Sequence, residues 1–291
     1  MSALDRNVQM KLSNYYRVFL GDPARLVAHQ EGIRLLREDV ESLEDCWNAE
    51  EEAGISGLDL PRSQAEFLEW YLMFEKKMNA DIQYFIDYMR CCASAEEVAY
   101  YICMEEMVDG SFDDLMAMVQ LGMPINCKMI AGENYWDEMG GGDYSAVHTT
   151  MFKTSSAYMR RILNGKDVSI DSPSTECLMN GNILLMWALR REYNIRLVGA
   201  MGLVEGSAPV RFGATTAAME RLGLPKEVVA YHKAHISIDT HHSRAWYESL
   251  LKHYSSCGGA VLRELALGVS IRYNVAIRYY KYMYGAMRSL S

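Results

Sequence analysis

The segment Tyr231-His-Lys-Ala-His235-Ile-Ser-Ile-Asp239-Thr-His-His242 carries two imidazoles and a carboxylate at i, i+4 and i+7. At about 100° per residue, His235, Asp239 and His242 share one helical face and can converge on one point. Two histidines and an aspartate on one stripe make half of a first coordination shell, and the other half must come from elsewhere in the chain. For the triplet alone, a hydrogen-bonded surface cluster is an equally good reading.

Candidates for the other half lie upstream. Glu138 stands where a helix meets Gly140-Gly141-Gly142, and His148 follows ten residues after it. The glycines reset the helix phase, yet they let two helix ends pack closely around a small ion. Glu205 closes the apolar run Leu197-Val-Gly-Ala-Met-Gly-Leu-Val204, and Pro209, four residues on, frees a backbone carbonyl nearby. An isolated buried carboxylate is costly, so Glu205 calls for a partner or a metal. Glu105 and Glu106 end a similar apolar approach, Ala99-Tyr-Tyr-Ile-Cys-Met104.

Together Glu106, Glu138, His148, Glu205, His235, Asp239 and His242 supply four carboxylates and three imidazoles. Four negative charges balance two divalent cations. Mixed oxygen and nitrogen ligation suits iron or manganese better than zinc, whose structural sites favour thiolate. Helical bundles build di-iron centres from such inward-facing residues. Each piece has a blander reading: Glu205 as a satisfied structural acid, Glu138 as a helix-end charge. Their joint occurrence outweighs it. His29, His232, His241 and His253 read as surface or hydrogen-bonded core residues. Arg196 and Arg211 flank Glu205; ordinary surface arginines are the simpler reading, and partners for a substrate carboxylate the sharper one.

The elements that must position these residues read as helices, giving an all-α fold. Apolar residues recur at three- and four-residue intervals nearly throughout. Leu4–Leu20 and Ala24–Glu52 are amphipathic, and Ala53–Pro61 supplies a break. Ser63 can cap a helix running to about Met89; Ser94-Ala-Glu-Glu97 reads as a capping box, and Ser111-Phe-Asp-Asp114 as another start. Further helices are expected over Lys128–Met139, from an Asp143 cap to about Leu163, and from about Leu178 to Glu205, ending or kinking near Pro209. Arg211–Leu222, Lys226 to about Tyr254 and Ala260–Met287 complete the set, with Gly165–Thr175 as the longest loop. The simplest division is an N-terminal helical extension, 1–92, packed on a core domain, 93–291.

Composition bounds the function. A chain of 291 residues can bury a substantial core, and its net charge of −9, with no basic cluster, argues against nucleic-acid binding. The seven cysteines form no CxxC pair and are odd in number, which fits free thiols in a reducing cytoplasm. No signal peptide is evident at the start, and the longest apolar runs are too short for a membrane span. A cytoplasmic protein is expected.

The run Glu133-Asn-Tyr-Trp-Asp-Glu138-Met-Gly-Gly-Gly-Asp-Tyr-Ser-Ala-Val-His148 resembles the central motif of iron-containing redox enzymes with a haem-oxygenase-like fold. So does Glu205 set thirty residues before His235-x3-Asp239-x2-His242, and Glu106 to Phe112-Asp-Asp-Leu115 resembles that family's first ligand helix. The resemblance covers about residues 95–255. It implies a haem-oxygenase-like bundle of roughly seven core helices holding a labile non-haem di-iron centre. Glu105 and Glu106 point about 100° apart, so one alone can reach the metal easily, and the resemblance, through the family's spacing to Phe112-Asp-Asp-Leu115, implies Glu106. Haem oxygenase itself is a poorer match, because nothing here resembles its N-terminal axial histidine.

The resemblance implies an O2-dependent oxidase or oxygenase that uses two irons, with manganese as an alternative in one site. Its substrate would be a small amine- or carboxylate-bearing molecule, an amino acid or derivative, met by N-oxygenation, C–H abstraction with cleavage or cyclisation, or desaturation. Glu138, beside the glycines, is the candidate bridging or shifting carboxylate. No motif marks the substrate-binding residues. An external electron donor and a homodimer are further expectations. Two alternatives stand beside this one: self-sacrificing oxidation of an internal tyrosine (Tyr135, Tyr231 or Tyr144), and a non-catalytic helical interaction module.

Overall fold

The computed structural model describes residues 2, 4–166 and 170–290, so part of the expected Gly165–Thr175 loop (167–169) lies outside the described residues. The described residues form helices and turns with no strand. The helices are α1 (Arg6–Phe19), α2 (Pro23–Gly54), α3 (Gln64–Asp81), α4 (Gln83–Cys91), α5 (Ala95–Glu105), α6 (Phe112–Val119) and α7 (Ile125–Glu138). They continue as α8 (His148–Ile162), α9 (Thr175–Leu189), α10 (Asn194–Arg221), α11 (Lys226–Trp246), α12 (Lys252–Ser255) and α13 (Gly259–Arg288). The architecture is an all-α bundle. Among the described residues, no helix is long and apolar enough to cross a membrane.

Local chemistry sets many of the boundaries. Asp5, Asp22, Ser63 and Ser174 each accept a hydrogen bond from a backbone N–H in the first turn of their helix. Ser94 and Glu97 form a reciprocal capping box at α5. Ser111 precedes α6 without capping it through its side chain. Asp143 caps the short 3-10 turn Tyr144–Ala146, so α8 starts at His148 rather than beside Asp143.

Two breaks differ from the periodic pattern. The helix expected from Ser63 to Met89 is interrupted at Ile82, whose fully buried side chain is tucked into the core. The helix expected over 178–205 instead breaks at Arg190, which reaches back to Glu44, Asp45 and Glu192. A new helix, α10, then runs without interruption through Pro209. Packing overrides the proline here: α10 is the central helix, flanked by α3, α4, α11 and α13. Trp187 and Trp246 anchor the interior, their ring N–H groups donating to Asn48 Oδ1 and the Val198 carbonyl at 2.9 Å each. Residues of α1–α4, among them Leu12, Trp47, Phe67 and Phe85, belong to the same apolar core as α10 and α13.

Candidate metal centre

Four helices aim polar side chains at one buried region beside α10. Glu138 is the last residue of α7, His148 the first of α8, Glu205 lies mid-way along α10, and α11 contributes His235, Asp239 and His242. The triple glycine brings the first two together. Gly140 has φ +64°, and a Cβ there would stand 2.5 Å from the Ala146 carbonyl carbon and 2.7 Å from Val147 N. Only glycine lets the chain fold back so tightly, leaving Glu138 Oε2 3.0 Å from His148 Nδ1.

Six of the seven sequence-derived ligands assemble, as two groups. Glu138, His148 and His235 form one; Glu205, Asp239 and His242 form the other. Within each group one potential ligand atom per residue lies within 4.8 Å of the others, and all six residues are buried. The helix stripe therefore does not converge on a single point. Seven residues of α-helix rise by about 10 Å, so His235 and His242 serve different groups, with Asp239 joining the second.

The imidazole tautomers are set by neighbours. His235 Nδ1 lies 2.7 Å from the Tyr231 carbonyl, which can only accept, so the ring donates there and keeps its Nε2 lone pair free. That Nε2 stands 4.0 Å from Glu138 Oε1. His242 is turned the other way. Its Nε2 meets Asp137 Oδ2 at 2.9 Å, and its Nδ1 faces Glu205 Oε2 at 3.9 Å and Asp239 Oδ1 at 4.0 Å. The outer partner, Asp137, went unread in the sequence, where it is masked as the ordinary neighbour of Glu138. Such carboxylates hold ligating histidines in orientation.

Burial strains the charge state of the metal-free site. Burial first, then the Glu138 carboxylate, pushes Glu205 up to about 8. Asp239 is raised well above the carboxylate range by burial, Glu205 and Glu138. Burial and His148 push His235 down, and burial likewise lowers His242, against the opposing pull of Asp137. His148 Nδ1 is buried and, although Glu138 Oε2 lies 3.0 Å away, the two are not aligned as a hydrogen bond. Crowded acids that favour protons, beside imidazoles held neutral with lone pairs inward, are the groups that a divalent cation would relieve. The donor set fits iron: oxygen and nitrogen, no thiolate.

Glu106 is not brought into this region. Its carboxylate accepts from Arg160, with Nη2 2.6 Å from Oε2, and from the Ser156 hydroxyl, in a partly exposed setting. The adjacent Glu105 turns inward instead, with Oε2 2.8 Å from Arg211 Nη1 and Oε1 accepting from Tyr279. The inner position near the two groups falls to Asp109, in the 3-10 turn after α5. Burial, then Glu105, pushes Asp109 up to about 8, and its Oδ2 lacks a partner among the described residues. A helix-phase argument had no means of finding it, because α5 ends before the turn.

Asp109, Glu205, Arg211, Tyr231, His235 and Asp239 line a small cavity of about 20 Å3. That is room for one water-sized molecule. Arg211 is buried there, contrary to the surface reading. Arg196 is buried as well, tied to Glu52 at 2.6 Å and Glu264 at 2.5 Å, away from the site. Of the remaining histidines, His241 is exposed, and His232 is buried and pushed down to about 3 by burial and Arg211. Neither belongs to a ligand group.

An all-α bundle with two buried carboxylate–histidine groups defines a protein built to hold a redox-active transition metal. Residues 99–276, from α5 into α13, match the family of iron-containing redox enzymes, and the chain belongs to that family. It is an iron-binding oxidoreductase. No curated protein matches the chain.

Proposed function

We propose that the protein is a non-haem di-iron oxidase or oxygenase that uses O2 to oxidise a small amine- or carboxylate-bearing molecule, an amino acid or derivative. The observation that carries this reading is the pair of abutting three-ligand groups, one with two imidazoles and one carboxylate, the other with the reverse. Glu138, His148 and His235 would hold one iron and Glu205, Asp239 and His242 the other, with Asp109 a further carboxylate at the cavity wall. Iron bound there supplies one-electron redox chemistry and a site for dioxygen. Manganese in one site is compatible with the same donors, and an external donor would supply any electrons that the substrate does not.

The chain's own residues have separable tasks. Glu138 lies 3.0 Å from His148 and 4.0 Å from His235, and its charge is among the causes that raise the proton affinity of Glu205 and Asp239 in the other group. The glycines after it leave the carboxylate room to shift or bridge. Arg211 offsets the negative charge while held by Glu105. Tyr231, Phe212 and Val204 wall the cavity and exclude bulk water. Asp109 and Glu205, with raised proton affinity, hold protons in the metal-free protein that iron would displace.

A second reading rests on Tyr231 as an internal substrate. Its ring centroid is 4.2 Å from that of His235 and 6.2 Å from that of His148, it lines the same cavity as Asp109, and it is buried. Tyr144, at 82 % exposure, has no such placement. One experiment separates the readings: aerobic incubation of the Fe(II)-loaded protein with a pool of amino acids, with mass spectrometry of both small molecules and protein. Substrate oxidation is expected in proportion to O2 consumed, and should vanish in His235→Ala. Oxygen uptake with unchanged amino acids and an added oxygen atom on Tyr231 would favour the second reading. An iron-loaded protein inert to O2 would contradict both.

A further inference from the structure

The 20 Å3 cavity is far too small for an organic molecule, so an outside substrate needs an adjoining chamber. One lies immediately behind the cavity wall. A pocket of about 460 Å3, within the range of small-molecule sites, opens between α1, α8 and the turn Asp109–Ser111. The two spaces share that turn. Asp109 and Phe112 face the inner cavity, while Gly110 and Ser111 face the outer pocket. Phe152 completes the partition: it lines the outer pocket, and its ring meets Tyr231 of the inner cavity edge-to-face with centroids 5.1 Å apart. A wall one short turn and one aromatic ring thick thus separates the two.

The outer pocket has a charge bias that the chain as a whole does not. Arg17 from α1 and Lys153 and Arg160 from α8 line it, against one carboxylate, Glu106. Arg160 is already committed, to Glu106 and to Asp171 at 3.0 Å. Among the described residues neither Arg17 nor Lys153 makes an ion pair: Arg17 donates to the Met107 sulfur at 3.2 Å, and Lys153 feels Asp114 only at longer range. Two exposed cations therefore face a pocket backed by the fully buried Phe152, in a protein whose net charge is −9. Ser111 and Ser156 add hydroxyl groups to the same lining.

We propose that this outer pocket is the vestibule of the metal centre and binds a small organic anion through Arg17 and Lys153. The ligand's apolar body points toward Phe152, a fully buried ring whose movement would expose it to the ligand and open the way to the cavity. This deepens the di-iron reading and rests on it for the word vestibule, while the anion site stands by itself. It also gives α1, outside the family match, a direct part in ligand binding. The anionic end stays with the cations of the outer wall, and the part to be oxidised points toward Tyr231 and Asp109.

Phenylphosphonate tests the proposal, with benzyl alcohol as the uncharged control. Calorimetric titration of the metal-free protein should show saturable binding of phenylphosphonate and none of benzyl alcohol. The double variant Arg17→Ala/Lys153→Ala, which changes two exposed side chains, should bind at least tenfold more weakly at unchanged circular dichroism. Equal binding by the variant, or no saturable binding by the wild type, overturns the proposal. With Mn(II)-loaded protein, the 31P line of bound phenylphosphonate should broaden, and a sharp line on saturably bound ligand overturns the link to the metal centre. Failure to hold Mn(II) at all would instead count against the di-iron reading, and the metal-free titration still decides the anion site.

Discussion

His235 donates from Nδ1 to the backbone carbonyl of Tyr231, 2.7 Å away and one helical turn earlier. The ring is thereby fixed with Nε2 toward Glu138. His242 reaches the opposite arrangement through Asp137, which binds its Nε2 and leaves Nδ1 toward Glu205 and Asp239. Asp137→Ala should therefore weaken metal binding in the second group by about 10- to 100-fold, the usual effect of losing such an orienting carboxylate. The first group should keep its metal. Chelator competition resolving two affinities checks this; loss of both metals together, or of neither, would count against the assignment.

Adjacent acids should separate cleanly. Glu106→Gln removes only a partly exposed ion pair with Arg160, so about 0–1 kcal/mol of stability should be lost and iron content retained. Asp109→Asn keeps the shape of the side chain but removes a carboxylate from the cavity wall, and iron affinity should fall at least tenfold. Iron titration of the two variants side by side decides the matter. Full iron binding by Asp109→Asn would make Asp109 structural.

The metal-free protein should weaken as pH rises from about 6.5 to 8. The folded chain raises Asp109 and Glu205 to about 8 and Asp239 well above its usual range. Stability linked to their protonated forms is complete below the ordinary carboxylate range near 4, and is lost as pH climbs toward the folded values. His235 and His242 are lowered, so their contribution is complete above about 6.5 and is lost only on acidification. Above 6.5 the acids alone govern the slope. Thermal melts of metal-free protein should fall across that interval, and Fe(II) or Mn(II) should flatten the trend while releasing protons. A flat metal-free profile would show the acids to be ionised without metal.

The turn bearing Asp109 is braced from behind by α9. A Cβ on Gly181 would lie 1.9 Å from the Met107 carbonyl oxygen, so no side chain fits without moving the backbone that leads into Asp109. Gly181→Ala should cost about 1–3 kcal/mol, the range for overpacking, and should also loosen iron binding. Chemical denaturation together with iron titration tests both halves, and an alanine variant of wild-type stability would contradict the close approach.

Much of the centre was legible because helices repeat. His235, Asp239 and His242 could be placed on one face, and the need of Glu205 for a partner followed from its apolar approach. The all-α fold followed from the same periodicity, and its haem-oxygenase-like arrangement from the resemblance of the Glu138–His148 run. What was not legible lies where periodicity stops. Asp109 sits in a 3-10 turn, and the choice between Glu105 and Glu106 depended on how α5 is rotated against α8 and α10. Arg211 looked like a surface residue, because a cation's burial is decided by a distant partner, here Glu105. Pro209 promised an end to the helix, yet neighbours on all sides of α10 carry it through.

The central claim is that two metal ions sit in two three-ligand groups, and anaerobic Fe(II) titration of the whole chain tests it most directly. The expected result is saturation at two irons per chain, falling to one or fewer in His235→Ala and in Glu205→Ala, with circular dichroism unchanged. Saturation at one iron, or two irons retained in both variants, would contradict it.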